Sequence, residues 1–100
     1  MSDFDSFAEF YPFYLREHSR PGCRRLHFVG TSLAIGCVLA AALTWNAWWL
    51  AGALASGYGF AWIGHAFVER NRPATFRHPL YSLAGDFAMY RDMLTGRLPF

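Results

Sequence analysis

Apolar residues change their spacing several times along this chain, and each change marks an element. From the amino end Phe4, Phe7, Tyr11 and Tyr14 recur at steps of three and four, with His18 on the same stripe. This spacing predicts an amphipathic helix with His18 on its buried edge. Pro12 falls inside it and removes a backbone donor, so a kink or a fresh start is expected there. Ser19-Arg20-Pro21-Gly22 reads as the turn that follows. From Arg25 to Glu69 the pattern gives way to an apolar run with no Asp, Glu, Lys or Arg between those two residues. A bilayer crossing takes ~20 residues at ~1.5 Å each, so the run is long enough for two helices. Thr44-Trp45-Asn46 divides it into expected spans of about 26–43 and 47–68. Small residues four apart, Gly36 with Ala40 and Gly52 with Ser56, would let the two backbones approach closely. After Pro79, Leu80, Leu83, Phe87, Tyr90 and Leu94 give a further helix an apolar face, and Gly96 a stop. That helix is too polar to span, so it is expected at the interface or packed back on the hairpin.

The fold class expected is therefore all-α: one small integral membrane bundle over residues 1–100, its central transmembrane hairpin flanked by two amphipathic helices. A hairpin buried inside a soluble helical oligomer is the competing reading, and a homo-oligomer is left open in either case. Composition supports the membrane, with 54% of residues hydrophobic, 19% aromatic and only 16% charged. Trp45, Trp48 and Trp49 cluster at the connector, where an aromatic belt belongs. All nine cationic residues are arginines outside the hairpin, at the side of its open ends. The positive-inside rule puts those ends and both termini on the cytoplasmic side, as in a bacterial inner membrane. The net charge of +2 does not indicate nucleic acid, because the aromatics lie in the apolar run and cannot alternate with a basic groove. Cys23 and Cys37 are too far apart along one helix to form a disulfide. The acidic start, Met-Ser-Asp-Phe-Asp, leads into no apolar core, so no cleaved signal peptide is expected.

The candidate chemistry lies in four histidines. His27 and His65 are equidistant from Asn46, so a hairpin folded there brings both to its open end. His18 arrives through the short turn, and His78 stands at the entrance to the last helix. His18, His27, His65 and His78 can thus meet at one membrane edge as metal ligands. Imidazole suits Fe, Zn, Cu and Ni, and no thiolate stands beside the cluster unless Cys23 does. In a regular helix His65 and Glu69 share a face. Glu69 and Asp86 are read as further ligands, as acceptors that orient the imidazoles, or as groups that move a proton. Arg24, Arg25, Arg70, Arg72 and Arg77 lie where they can attract a carboxylate.

The blocks Tyr14-Leu15-Arg16-Glu17-His18, Leu26-His27-Phe28-Val29-Gly30-Thr31, Ile63-Gly64-His65-Ala66-Phe67-Val68-Glu69 with Pro73-Ala74, and His78-Pro79-Leu80-Tyr81-Ser82-Leu83-Ala84-Gly85-Asp86 resemble the Mpo1-like family. The likeness runs from about Phe4 to Leu94. Position 23 departs from it, being Cys where many members have Asn. The resemblance implies a membrane-embedded Fe(II)-dependent dioxygenase that uses O2 to shorten 2-hydroxy fatty acids by one carbon and needs its histidines. Four histidines on an octahedral ion leave two positions, whereas a two-oxygen substrate and O2 require three. Either one histidine stands back, or O2 attacks the substrate without first binding beside it. Two other readings compete: a non-catalytic metal or haem carrier, since histidines on facing helices can be axial ligands, and a structural hairpin whose histidines satisfy one another.

Overall fold

A computed structural model describes residues 4–100. Among these residues the chain is all-helical, with four α-helices and no strand. Helix α1 spans Phe7–Arg16, α2 Pro21–Thr44, α3 Trp48–Ile63 and α4 Pro79–Leu94. Two short pieces link α3 to α4: a π-helical segment, Gly64–Glu69, and a 3₁₀ turn, Ala74–Phe76.

The first helix starts at Ser6, whose hydroxyl accepts the Glu9 N–H at 3.2 Å and so satisfies one of the free donors of the first turn. The helix runs on through Pro12, so the fresh start that the sequence allowed there does not occur. Pro12 and Ala8, whose carbonyl loses its helical partner to the proline ring, are both exposed, so water can take that bond. Phe10 and Tyr14 face inward and, with Ala74, Met89 and Met93, form the buried core. The core therefore lies between α1 and α4, at the open end of the α2–α3 hairpin. Two tyrosine–aspartate hydrogen bonds clamp the same pair of helices: Tyr11 donates to Asp92 at 2.6 Å, and Tyr14 donates to Asp86.

The hairpin turns where expected, at Trp45, whose left-handed backbone (φ 56°) ends α2. Its closest approach involves Ser56 of the expected small-residue pairs, but neither of their glycines. Gly36 faces open space, and a Cβ at Gly52 would meet only the Cys37 sulfur. At Gly30, by contrast, a Cβ would lie 2.8 Å from the Ser56 carbonyl oxygen and 2.9 Å from Phe60 Cβ. The two helices cross there, one turn from His27. Helix α2 is the one described helix long and apolar enough to cross a bilayer by length and composition. The second expected span is divided, since α-helical geometry stops at Ile63 and a π-helical segment continues to Glu69.

Helix α4 is rotated relative to its apolar stripe. Leu80, Leu83, Phe87 and Leu94 point outward, while Ser82, Gly85, Met89, Asp92 and Met93 are buried. Contact with α1 decides this, because a Cβ at Gly85 would stand 2.7 Å from the Tyr14 ring. Tyr90 of the stripe packs on the hairpin, stacking on Phe28 at 4.5 Å and sharing a 2.9 Å hydrogen bond with Ser32.

Candidate metal centre

Three of the four histidines meet at the open end of the hairpin. His18 follows α1, His27 lies on the second turn of α2, and His65 opens the π-helical segment. Their ring centroids are 4.3 to 5.0 Å apart, and each residue is at most 4% exposed.

Hydrogen bonding fixes the tautomer of each ring. His18 Nδ1 lies 2.6 Å from the Tyr14 carbonyl oxygen, and His27 Nδ1 lies 2.9 Å from that of Cys23. A carbonyl only accepts, so both Nδ1 atoms carry the proton. His65 Nδ1 lies 2.6 Å from Asn71 Oδ1, and the Asn71 amide is oriented by its NH2 donating to the Glu17 carbonyl at 3.1 Å. His65 therefore also donates from Nδ1. In the neutral rings all three Nε2 atoms are left with lone pairs. Burial, and then the neighbouring His27, push the His18 imidazole down to about 2, which keeps it neutral.

The His18 and His27 Nε2 atoms are 3.0 Å apart. Two lone pairs at that distance in a dry site repel unless a cation lies between them. With metal–nitrogen bonds of ~2.0–2.1 Å, a 3.0 Å separation subtends ~90° at the ion, the angle of neighbouring octahedral positions. The donor group, His18, Cys23, His27 and His65, could thus hold a metal ion. Haem does not fit, because rings this close leave no room for a macrocycle between them.

The backbone around His65 explains how it gets there. The π-helical segment widens the turn to i→i+5 bonding, which removes the face that His65 and Glu69 would share in a regular helix. Arg70 then takes a left-handed conformation (φ 60°), at a cost of ~1–2 kcal/mol for a residue with a Cβ. The reversal sends the Arg70 and Asn71 N–H groups back to the His65 carbonyl and brings the Asn71 amide to the imidazole. Nothing in the spacing of the sequence singles out Asn71; only the position of one residue after a left-handed turn does.

The remaining predicted site residues separate into groups. His78 stands at the start of α4 among the rings of Phe4, Phe10 and Phe13 and is not among the residues whose donor atoms cluster. Glu69 turns to the α1–α2 turn, accepting from the Ser19 hydroxyl at 3.2 Å and the Arg20 N–H at 2.5 Å. It thereby supplies the negative charge that the N-terminus of α2 lacks. Asp86 lines a cavity beside His27. Burial pushes its carboxyl up to about 6, against the opposing effect of the Tyr14 hydroxyl. The Tyr14 ring stacks on His18 at 3.9 Å, so one side chain touches both the cluster and the aspartate.

Among the arginines, Arg24 is nearest in effect. Its guanidinium donates to the His18 and Ser19 carbonyls at 3.2 and 2.9 Å, and its buried Nε has no partner. Arg25 instead bonds the Phe100 carbonyl at 2.8 Å. Arg70 closes the π-helical segment, and Arg72 and Arg77 line a separate cavity with His78. Cys23, named in the sequence only as an exception, belongs to the cluster. Its sulfur and the three imidazoles offer donor atoms all within 4.8 Å of one another. Both cysteines are free.

Residues 4–98 match the family model described as Mpo1-like, 2-hydroxy-palmitic acid dioxygenase Mpo1-like. No curated protein and no solved structure matches the chain.

Proposed function

Since the chain belongs to the Mpo1-like family, we propose that it is a membrane-embedded, iron-dependent dioxygenase that shortens 2-hydroxy fatty acids by one carbon. The observation that carries this reading is the meeting of three buried imidazoles and the Cys23 sulfur, whose donor atoms all lie within 4.8 Å of one another. Fe(II) held by His18, His27 and His65 would supply the three remaining octahedral positions that the two oxygens of a 2-hydroxy acid and O2 together require.

The chain's own groups prepare this site. Three acceptors, the Tyr14 and Cys23 carbonyls and the Asn71 amide, hold the rings in the tautomer that ligation needs. The unpartnered Nε of Arg24 is a donor available to a carboxylate head. Asp86, beside His27 and held by Tyr14, is placed to take the proton of the substrate hydroxyl. Glu69 acts on structure here: it ties the His65 segment to the start of α2.

Helix α2, together with α3 and its π-helical continuation, forms the membrane hairpin. The tryptophans at Trp45 and Trp48, both strongly exposed, sit at one interface. The arginine-bearing end with the imidazoles sits at the cytoplasmic one. The outward-facing Leu80, Leu83, Phe87 and Leu94 of α4 rest in that interface. The test is oxygen uptake by iron-loaded protein given 2-hydroxyhexadecanoic acid, with mass analysis of the product. Uptake with an acid one carbon shorter supports the assignment; no uptake across several chain lengths removes it.

A further inference from the structure

An apolar cavity of about 220 Å³ opens beside the cluster, walled by α2, α3 and α4. On α2 its wall is His27, Thr31, Ala34 and Val38, one continuous helical face. At ~1.5 Å per residue this wall rises ~16 Å from His27 to Val38. Polar groups that can meet a head, His27 and Asp86, stand at one end, and Val38, Ala53 and Leu54 at the other. No arginine lines it. A second, wholly apolar cavity of about 260 Å³ adjoins it, sharing Ala34, Val38 and Phe87 and extending to Ile35 and Leu39 on the outer face of α2. Phe87, half exposed, stands at the boundary of the two.

A slot that is polar at the imidazole end, uncharged along its length and open sideways fits an amphiphile with one small head and an unbranched tail. We infer that the acyl tail lies between α2 and α3 under α4, enters sideways past Phe87, and has its length limited by Ala53 and Val38. This rests on the proposed function for the identity of the head. Small side chains keep the slot open: a Cβ at Gly57 would only touch Ala34 at 3.7 Å, whereas a ring at position 53 would fill the far end.

The probe is 2-hydroxydodecanoic acid carrying a diazirine on its terminal carbon, photolysed with the full chain in lipid nanodiscs and mapped by peptide mass spectrometry. Adducts concentrated at Val38, Ala53 and Leu54, and suppressed by unlabelled 2-hydroxyhexadecanoic acid, support the inference. Adducts around Arg72 to His78, or spread without competition over the outer faces of α2 and α3, overturn it. In Ala53→Phe the ratio of short-chain to long-chain labelling rises about tenfold, equivalent to ~1.4 kcal/mol; an unchanged ratio counts against the slot. The two proposals fail separately. Labelling of the same residues without oxygen uptake leaves the tail slot standing and removes the dioxygenase, while oxygen uptake with adducts elsewhere does the reverse.

Discussion

The Nε2 atoms of His18 and His27 stand 3.0 Å apart. While both rings are neutral neither has a proton to place between them, since each has its proton committed at Nδ1 to a carbonyl oxygen, and a positive charge there would relieve the repulsion. His65 completes the arrangement from a third element, through an asparagine rather than a backbone carbonyl.

In the proposed centre Asn71 positions His65 through its 2.6 Å hydrogen bond without touching the ion. Asn71→Leu removes the acceptor at Nδ1 and is expected to weaken metal binding ~10–100-fold. Asn71→Asp keeps an acceptor there while losing the donor to Glu17, so its loss is smaller. Anaerobic titration of iron against a competing chelator measures both; wild-type affinity in the leucine variant would show that Asn71 does not hold the ring.

Asp86 gives a pH dependence whose sign is set by its raised pKa. The folded chain keeps this proton up to about 6, whereas the ordinary carboxyl releases it near 3.8. Between those values the folded state binds more protons than the unfolded one, so this group's contribution to stability falls as pH rises through the window. Asp86→Asn still offers Tyr14 an acceptor but never ionises. It should melt above wild type at pH 7, with the gap closing near pH 4, and should lose the rise in oxygen uptake through about pH 6. A variant less stable than wild type at neutral pH would contradict the assigned burial cost.

The crossing at Gly30 separates two glycines of the same helix. Gly30→Ala forces α2 from the Ser56 backbone and should cost ~1–3 kcal/mol. Gly36→Ala meets nothing and should be neutral, or stabilising by up to ~1 kcal/mol through helix propensity. Thermal unfolding in one detergent ranks them; the reverse order would place the crossing at Gly36 and Ala40.

Much of this was legible in the residues. The two-armed hairpin follows from the uncharged run and its break at Asn46, and the equal distances of His27 and His65 from that break bring them together. His18 follows from the short turn expected at Ser19 to Gly22, which is tighter than that, since Pro21 already starts α2. What the spacing misplaced were features set by close contact. Regular helical geometry was assumed through Glu69, and the π-helical widening sent its carboxylate to the start of α2 instead. The place of His78 at the entrance to α4 suggests a fourth ligand, but its ring packs among Phe4, Phe10 and Phe13 instead. The apolar stripe of α4 suggested its buried side, yet the fit of Gly85 against Tyr14 turned that stripe outward. Apolar periodicity cannot distinguish a face that meets protein from one that meets lipid.

In the proposed centre three imidazoles, and not the fourth, hold the metal. The decisive measurement is iron content after anaerobic loading in His18→Ala, His27→Ala, His65→Ala and His78→Ala. One iron per chain is expected in wild type and in His78→Ala, with loss of iron in each of the other three. Loss of iron in His78→Ala to the same degree, or full iron in both His27→Ala and His65→Ala, would contradict it.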